Sequence, residues 1–317
     1  MDSFLPEEAK LRRFNPDDGL PDDLDGVNAL LIRTVSAVNR NTLPQIPDSL
    51  GFLGTASAGT DHVDIEYLRQ NGVAFAYAGG CNARAVAEYI VTALLLWADR
   101  RKIDLKQEQI GIIGVGNVGS SVHALFNELQ WPSLLYDPPR ASRDAGFRSA
   151  KLDETLGCSV LTFHVPFEKG GANPTHHWLN RDKLQNRDFK LIINTSRGGV
   201  VDERALLGGH ENHRVEDFIL DVWENEPVFN DLAAAKAFVK TPHIAGYSVQ
   251  AKLNATRMVV RAMTDRYELS LPDQRPEPPV EEIAFTDREL DTIPLSGILN
   301  RIHPINTYQD EMEALIG

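Results

Sequence analysis

The sequence is poor in cysteine and in long apolar runs. It holds two cysteines, Cys81 and Cys158, in 317 residues. They cannot form a disulfide framework and lack zinc-site spacing, so we expect a reducing, cytoplasmic environment. The longest apolar run, around 86–98, is interrupted by Glu88 and is too short to span a bilayer. The first residues are acidic and contain a proline, so no secretory signal peptide is expected.

Basic residues are also outnumbered. The chain has 32 Lys and Arg against 45 Asp and Glu, a net charge of −13. A surface of this sign repels nucleic acids and anionic membranes, so neither is an expected partner. An anionic small molecule would need a local cluster of arginines or backbone N–H groups. The composition, 42% hydrophobic and 24% charged, is typical of a globular protein with room for two domains.

A glycine-rich loop follows an apolar segment near the middle of the chain. Gly114, Gly116 and Gly119 form the pattern G-x-G-x-x-G between the apolar run Ile110–Ile113 and a segment with helical spacing. Glycines let the backbone turn tightly and approach a pyrophosphate, which the following helix end attracts. The next apolar run ends in Asp137, about 20 residues on, where a carboxylate can bind a ribose and repel a ribose phosphate. The pattern predicts NAD as cofactor, with a glycine-rich turn of another α/β protein as the alternative.

Short apolar runs alternate with helical stretches through the middle of the chain. Alternation of this kind predicts a parallel sheet with right-handed crossovers, and such sheets bind ligands at the carboxyl ends of their strands. The predicted strands of this sheet are Ile110–Ile113, Leu134–Tyr136, Val160–Phe163, Leu191–Asn194 and Phe218–Leu220.

A smaller α/β unit precedes this sheet, with apolar runs at Ala29–Ile32 and Phe52–Gly54. Long helices are predicted over Arg84–Trp97 and Val249–Leu269, and the second returns the chain to the first unit. We therefore predict an α/β fold in which a Rossmann-type doubly wound parallel sheet, residues 86–246, is inserted into a second α/β substrate domain, residues 1–85 and 247–271. Residues 272–317 are predicted to be a linker with a short C-terminal extension, and the linker is the proline-rich segment Pro272–Pro279.

Three polar side chains follow the glycine loop in the sequence. Arg197 lies in N-T-S-R-G-G, Glu226 in D-V-W-E-N-E-P and His243 in T-P-H-I-A-G-Y. Hydride transfer from a secondary alcohol needs a base such as imidazole, a carboxylate to orient it and a guanidinium to hold a substrate carboxylate. Each residue alone has a simpler explanation: a surface or capping arginine, a solvated turn, and a structural or exposed histidine. Their joint occurrence after a dinucleotide loop favours a dehydrogenase.

Several segments resemble the NAD-dependent D-2-hydroxyacid dehydrogenases, over about residues 28–266. The similar segments are S-R-G-G-V-V-D from Ser196, L-D-V-W-E-N-E-P from Leu220 and P-H-I-A-G from Pro242. Within that family, residues 54–64, 80–83, 136–140 and 243–247 most resemble members that oxidise 4-phospho-D-erythronate to 2-oxo-3-hydroxy-4-phosphobutanoate in pyridoxal phosphate synthesis. Tyr247 distinguishes these members from many others of the family, which carry a small residue at this position.

The resemblance implies a role for each matching position. It makes His243 the catalytic acid/base, Glu226 its partner and Arg197 the ligand of the substrate carboxylate. The implied substrate contacts are Thr34, Ser57 and Tyr247. The implied cofactor contacts are Gly114, Gly116, Asn117, Val118 and Gly119 at the pyrophosphate, Asp137 at the ribose, and Val165, Thr195, Ser196, Arg197, Asp221 and Gly246 beside the nicotinamide. No metal is expected, and His176–His177 is interpreted as exposed surface.

The resemblance also bears on the second domain and on assembly. It implies a flavodoxin-like substrate domain and a homodimer. Family members usually begin with one more strand and continue into a longer dimerisation domain, so we expect residues 272–317 to contain only the opening part of that domain. Arg33 and Arg84 are candidate phosphate ligands by charge alone, with ordinary surface arginines as the alternative.

Two rival functions fit the same scaffold. The first is a D-2-hydroxyacid dehydrogenase acting on 3-phosphoglycerate, glycerate or another simple 2-hydroxy acid, against which Tyr247 and the segment Cys81–Ala83 argue. The second is a non-catalytic NAD-sensing protein, which would be expected to have lost at least one of Arg197, Glu226 and His243. All three residues are present, so an enzyme is the predicted function.

Overall fold

The computed structural model describes residues 4–271 and 283–314, and the chain divides into two compact units. Unit 1 consists of Met1–Asn82 with Tyr247–Glu281, and unit 2 of Ala83–Gly246 with Glu282–Gly317. The predicted linker Pro272–Pro279 lies outside the described residues. The described residues beyond it are grouped with unit 2. The domain boundaries drawn from the sequence stay predictions.

The described residues contain parallel strands that alternate with helices. The strands are β1 Ala29–Ile32, β2 Phe52–Thr55, β3 Ala74–Tyr77, β4 Ile110–Ile113, β5 Ser133–Tyr136, β6 Val160–Phe163, β7 Phe189–Asn194, β8 Val215–Leu220 and β9 Val239–Lys240. The helices are α1 Ile65–Gln70, α2 Ala83–Arg101, α3 Asn117–Glu128, α4 Pro138–Ala141, α5 Leu152–Thr155, α6 Arg181–Leu184, α7 Glu203–Glu211, α8 Asp231–Lys236, α9 Val249–Tyr267, α10 Asp287–Thr292, α11 Leu295–Ile302 and α12 Ile305–Glu313.

Unit 1 is built on a parallel sheet with α9 packed against it. Among the described residues, its strands lie in the order β1-β2-β3. Gly54 in β2 has no side chain, and the space is taken by Val259 of α9, since a Cβ at that glycine would overlap the valine. The sheet and the helix enclose small apolar side chains such as Ala56, Ala78 and Ala255. Because three sequential strands contain no reversal of order, the flavodoxin-like arrangement stays a prediction.

Unit 2 is built on a larger parallel sheet. Its described strands lie in the order β5-β4-β6-β7-β8-β9, and every pairing is parallel. The order reverses at β4, which is the signature of a doubly wound sheet. The predicted Rossmann-type sheet is therefore confirmed.

Both faces of this sheet are buried. In β4, Ile110 and Ile112 pack into a core with Trp97 of α2, whereas Ile113 packs with Phe163 in a second core on the opposite face. All five side chains are at most 1% exposed. Continuous apolar strands are expected when helices cover both faces of a parallel sheet, and they carry no alternating polar pattern.

The last described helices, α10–α12, belong to unit 2, and α11 and α12 contact its other elements. Ser296 in α11 donates a hydrogen bond to Asp99 of α2. Met312 in α12 lies in one of the two cores, and Glu313 pairs with the buried Lys240 of β9 at 2.9 Å. This segment is thus anchored on the larger sheet and on α2. No helix within residues 4–271 and 283–314 is long and apolar enough to cross a membrane.

Candidate active site

The glycine loop after β4 is shaped by backbone contacts that exclude side chains. Gly114 has φ of 86°, and a Cβ there would lie 2.6 Å from the carbonyl oxygen of His164. A Cβ at Gly119 would overlap the carbonyl of Gly114. By contrast, a Cβ at Gly116 would meet nothing within 4 Å. The first and third glycines are therefore needed for packing, and the second leaves an open approach to the backbone.

The N-terminus of α3 opens directly onto this approach. Helix α3 starts at Asn117, and its N-cap residue Gly116 supplies no side-chain hydrogen bond. The first N–H groups of the helix, including those of Asn117 and Val118, therefore have no side-chain cap. Free N–H groups together with the positive end of the helix dipole suit a pyrophosphate. An NAD molecule fits the groups that the loop presents.

Asp137 faces the glycine loop from the end of β5. Its Oδ2 accepts a hydrogen bond from the Val115 N–H at 2.8 Å, and its Oδ1 accepts one from the Arg140 N–H at 2.9 Å. The Arg140 side chain also contacts the loop, because its Nη1 donates a hydrogen bond to the Val115 carbonyl at 2.7 Å. The sequence predicted the carboxylate but not the arginine, which spacing alone does not link to the loop. These contacts fix the carboxylate beside the glycines.

His243 and Glu226 form a direct pair, as the predicted roles require. The Nδ1 of His243 lies 2.8 Å from Oε2 of Glu226. The histidine side chain is 48% exposed and the glutamate side chain 34% exposed. The other carboxylate oxygen of Glu226 accepts a hydrogen bond from the Trp223 N–H at 2.8 Å. The imidazole is thus oriented through one nitrogen, and its other nitrogen is available for a substrate proton.

The surroundings shift the pKa values of this pair in opposite directions. The hydrogen bond to Glu226 raises the pKa of His243, and the charges of Glu226 and Asp221 add to the effect against the opposing effects of burial and the Arg197 charge. Burial of Glu226 favours its neutral form. The hydrogen bond and charge of His243 and the charge of Arg197 outweigh that burial, so the pKa of Glu226 is lowered. The pair therefore favours imidazolium beside carboxylate.

The loop that carries His243 is held by Asp221, at the end of β8. Asp221 is fully buried, and its carboxylate oxygens accept hydrogen bonds from the N–H groups of Ile244 and Ala245 at 2.8 and 2.9 Å. The Thr241 hydroxyl donates to the same carboxylate at 2.6 Å. Burial raises the pKa of Asp221 to about 6, against the effect of these hydrogen bonds. Its predicted contact with the nicotinamide stays a prediction.

Arg197 lies on the loop after β7. Asn194 shapes this loop, because its side chain accepts a hydrogen bond from the Ser196 N–H at 3.1 Å and donates one to the Arg197 carbonyl at 3.0 Å. The loop packs against the segment that carries the glutamate, since a Cβ at Gly198 would overlap the carbonyl of Trp223. This close approach explains why the Arg197 charge acts on both His243 and Glu226.

The other residues predicted beside the nicotinamide lie on segments that follow strands of the same sheet. Thr195 and Ser196 follow β7 and are 8% and 7% exposed. The Thr195 hydroxyl is buried and has no hydrogen-bond partner among the described groups. Val165 and Gly246 are partly buried. An orphaned buried hydroxyl at this position is consistent with a polar ligand, and the predicted contacts stay predictions.

A second polar cluster lies beside the pair, and the sequence did not predict it. Nε2 of His177 lies 3.1 Å from Oε1 of Glu224, and Nδ1 lies 3.7 Å from Oδ2 of Asp202. His177 is partly buried, which corrects its interpretation as exposed surface, whereas His176 is exposed. Burial raises the pKa of the neighbouring Glu203 to about 7. The cluster holds the loop before Glu226, and only long-range folding brings its members together.

The predicted substrate residues are in unit 1. Thr34 and Tyr247 are exposed, and Tyr247 is 61% exposed. Ser57 is 8% exposed, and its hydroxyl donates to the Gly59 carbonyl at 2.7 Å. Arg84, a candidate phosphate ligand, instead pairs with Glu88 at 2.5 Å in α2 of unit 2.

The sequence is similar to known dehydrogenases. The model of the family described as D-isomer specific 2-hydroxyacid dehydrogenase, NAD binding domain, matches residues 92–245. An erythronate-4-phosphate dehydrogenase of Marinobacter nauticus is 37% identical over 297 residues, covering 90% of this chain and 76% of the relative. One from Yersinia pestis is 42% identical over 245 residues, covering 77% of this chain and 65% of the relative.

Solved structures share the fold. The D-lactate dehydrogenase of Aquifex aeolicus, solved with NAD and lactic acid, has a TM-score of 0.62 at 24% identity, covering 81% of this chain and 86% of the other. The D-mandelate dehydrogenase of Rhodotorula graminis has a TM-score of 0.64 at 20% identity, covering 76% and 80%. Together with the glycine loop and the histidine–glutamate pair, the closer sequence relatives show that this NAD-dependent chain belongs to the erythronate-4-phosphate dehydrogenases within the D-isomer-specific 2-hydroxyacid dehydrogenase family.

Proposed function

We propose that the chain oxidises 4-phospho-D-erythronate to 2-oxo-3-hydroxy-4-phosphobutanoate while NAD becomes NADH, a step towards pyridoxal phosphate. The observation that carries the chemistry is the 2.8 Å pair of His243 and Glu226 next to the loop of Arg197. The substrate is suggested by the name of the relatives that are 37% and 42% identical and by Tyr247.

His243 is the proposed base. Its free nitrogen accepts the proton of the substrate hydroxyl, and the resulting imidazolium is stabilised by the Glu226 carboxylate. Bound NAD would accept the hydride that leaves the carbon bearing this hydroxyl. Arg197 binds the substrate carboxylate, for which its planar guanidinium offers two parallel hydrogen bonds. Substituting Arg197→Lys should lower kcat/KM by about 10-fold or more, because a point charge replaces the fork. Unchanged steady-state constants would remove Arg197 from this role.

The cofactor is proposed to lie along the carboxyl ends of the strands of unit 2. The N–H groups of Asn117 and Val118 bind the pyrophosphate, beside the glycines of the loop, and Asp137 accepts hydrogen bonds from the ribose. The residues proposed beside the nicotinamide are Val165, Thr195, Ser196, Asp221 and Gly246. The open approach at Gly116 supports the pyrophosphate position.

Thr34, Ser57 and Tyr247 are proposed to contact the substrate. The two exposed side chains can reach a ligand directly, and the Ser57 hydroxyl lies next to the loop Ala58–Thr60. We also propose that the protein acts as a cytoplasmic homodimer. Light scattering of the purified chain will measure its oligomeric state. A monomer at micromolar concentration would contradict the dimer.

The first experiment is a substrate comparison. The purified chain is incubated with NAD and 4-phospho-D-erythronate, 3-phosphoglycerate or D-glycerate, and NADH absorbance is followed. We expect the highest kcat/KM with 4-phospho-D-erythronate. A preference for either other acid would keep the mechanism and replace the substrate. NADH binding without turnover of any acid would contradict the proposed activity.

A further inference from the structure

Helix α9 runs antiparallel to the strands of unit 1. Near its end, the Tyr267 hydroxyl donates to the carbonyl of Asn28, just before β1, at 2.5 Å. Nearer its start, Ala255 packs with Ala56, just after β2. The start of α9 therefore lies at the carboxyl edge of this sheet, which is where parallel sheets bind ligands.

Two cations lie at this edge, and both act on Tyr247. Lys252, three residues before Ala255, places its ammonium 3.7 Å from the centre of the Tyr247 ring. Arg33 is the first residue after β1, at the same edge. The pKa of Tyr247 is lowered, mainly by the hydrogen bond to Lys252 and to a smaller extent by the charge of Arg33. Burial raises the pKa of Cys81, and the charge of Arg33 opposes that effect.

No described carboxylate neutralises these cations. Among the side chains of residues 4–271 and 283–314, neither Arg33 nor Lys252 forms an ion pair, although the chain carries 45 acidic residues against 32 basic ones. Arg84, the other candidate from the sequence, is paired with Glu88. Like charges held together without a counter-charge repel each other, and an anion placed between them relieves the repulsion.

We propose that Arg33 and Lys252 form an anion subsite that binds the phosphate group of the substrate. Arg33 offers a planar fork of donors and Lys252 a point charge, and both suit phosphate oxygens. Tyr247, whose ring lies against the ammonium, keeps Lys252 directed into the subsite. The identity of the phosphate's carrier rests on the proposed function, whereas the subsite itself does not.

The test uses two variants and one matched control. Arg33→Gln and Lys252→Gln each remove one charge from the subsite. The control, Arg261→Gln, removes one charge from the second half of α9, away from the subsite. The Arg261 side chain is 70% exposed, and its Nε lies 4.0 Å from Oδ2 of Asp265. Calorimetric titration with inorganic phosphate is expected to show saturable binding to the wild-type chain and to the control. Binding to either subsite variant should be about 10-fold to 100-fold weaker, as expected for a lost hydrogen bond to a charged group.

Turnover of 4-phospho-D-erythronate is measured on the same four proteins. We expect KM to rise in Arg33→Gln and Lys252→Gln by a similar factor, and not in Arg261→Gln. Equal phosphate binding by all four proteins, or none by the wild type, would overturn the subsite even if the wild type is active. Phosphate binding that is lost only in the two variants, in a chain that does not oxidise 4-phospho-D-erythronate, would uphold the subsite and overturn the proposed function.

Discussion

Replacing Glu226 by glutamine should shift the protonation of His243 while leaving an acceptor for its Nδ1. The amide oxygen can still accept this hydrogen bond, but the negative charge 2.8 Å away is lost and the amide nitrogen then faces the Trp223 N–H, which donates to the carboxylate in the wild type. Two unit charges about 4 Å apart interact by roughly 1 kcal/mol in water and about 4 kcal/mol at an effective dielectric constant of about 20. Since both side chains are more than a third exposed, solvent screening places the effect near the lower value. We therefore expect the pKa of His243 to fall by about one unit.

The direction in which the pH dependence of kcat/KM shifts follows from the direction of the reaction. Oxidation requires neutral imidazole, so kcat/KM falls as the pH drops through the pKa of His243, which in the wild type is raised above 6.5. In Glu226→Gln this acid limb should move about one unit towards lower pH. The assay is best made with D-glycerate or another unphosphorylated acid, because a phosphate group itself titrates near pH 6. Proton NMR titration of the nine histidines, with His243 assigned from His243→Ala, reads the same pKa directly.

The neighbouring carboxylate provides the control. Glu224 lies two residues away and contacts His177 at 3.1 Å, not His243. Glu224→Gln should leave the acid limb in place. An acid limb that stays at the wild-type pH in Glu226→Gln, or that moves equally in both variants, would refute the assignment of the acid limb to this pair.

Three further predictions concern the proposed site. His243→Ala should lower turnover by about 10²-fold or more while NADH still binds, as fluorescence will show, because the loss of a general base affects chemistry and not the cofactor loop; most of the wild-type rate remaining would exclude it as the base. Gly119→Ala should lower the melting temperature, since its Cβ would overlap the Gly114 carbonyl, whereas Gly116→Ala should fold normally and bind NADH more weakly; equal behaviour of the two variants would contradict the open approach. Asp137→Ala should raise the ratio of kcat/KM with NADP to that with NAD, and an unaltered ratio would count against its ribose contact.

The fold followed from the sequence where short, largely apolar runs marked the strands. The segment 110–113 was predicted with its observed ends, whereas the predicted strands over 191–194 and 218–220 extend to Phe189–Asn194 and Val215–Leu220. Strands β3 and β9 were not predicted. Strand β9 has two residues, one of them the buried Lys240, and a lysine in so short a run gives no apolar pattern.

The site was only partly accessible from the sequence. Motif spacing indicated Arg197, Glu226 and His243, because each lies in a short segment of recognisable composition. The pairing of Lys252 with Tyr247 depends on one turn of α9 and on the direction of that helix. The bond from Arg140 to the Val115 carbonyl, and the cluster around His177, join residues from different strand ends. Such contacts are set by tertiary packing, which a one-dimensional pattern does not encode.

The buried carboxylate behind the catalytic loop has a consequence for motion. From Tyr89 in α2, hydrogen bonds pass through the Thr241 hydroxyl at 2.7 Å to Asp221, and from there to the N–H groups of Ile244 and Ala245. The backbone N–H groups next to the proposed base are thus hydrogen-bonded to a carboxylate in the interior of unit 2. In hydrogen-exchange measurements they should be protected like core strands, although they lie in a loop. The backbone beside the base is therefore preorganised by these hydrogen bonds.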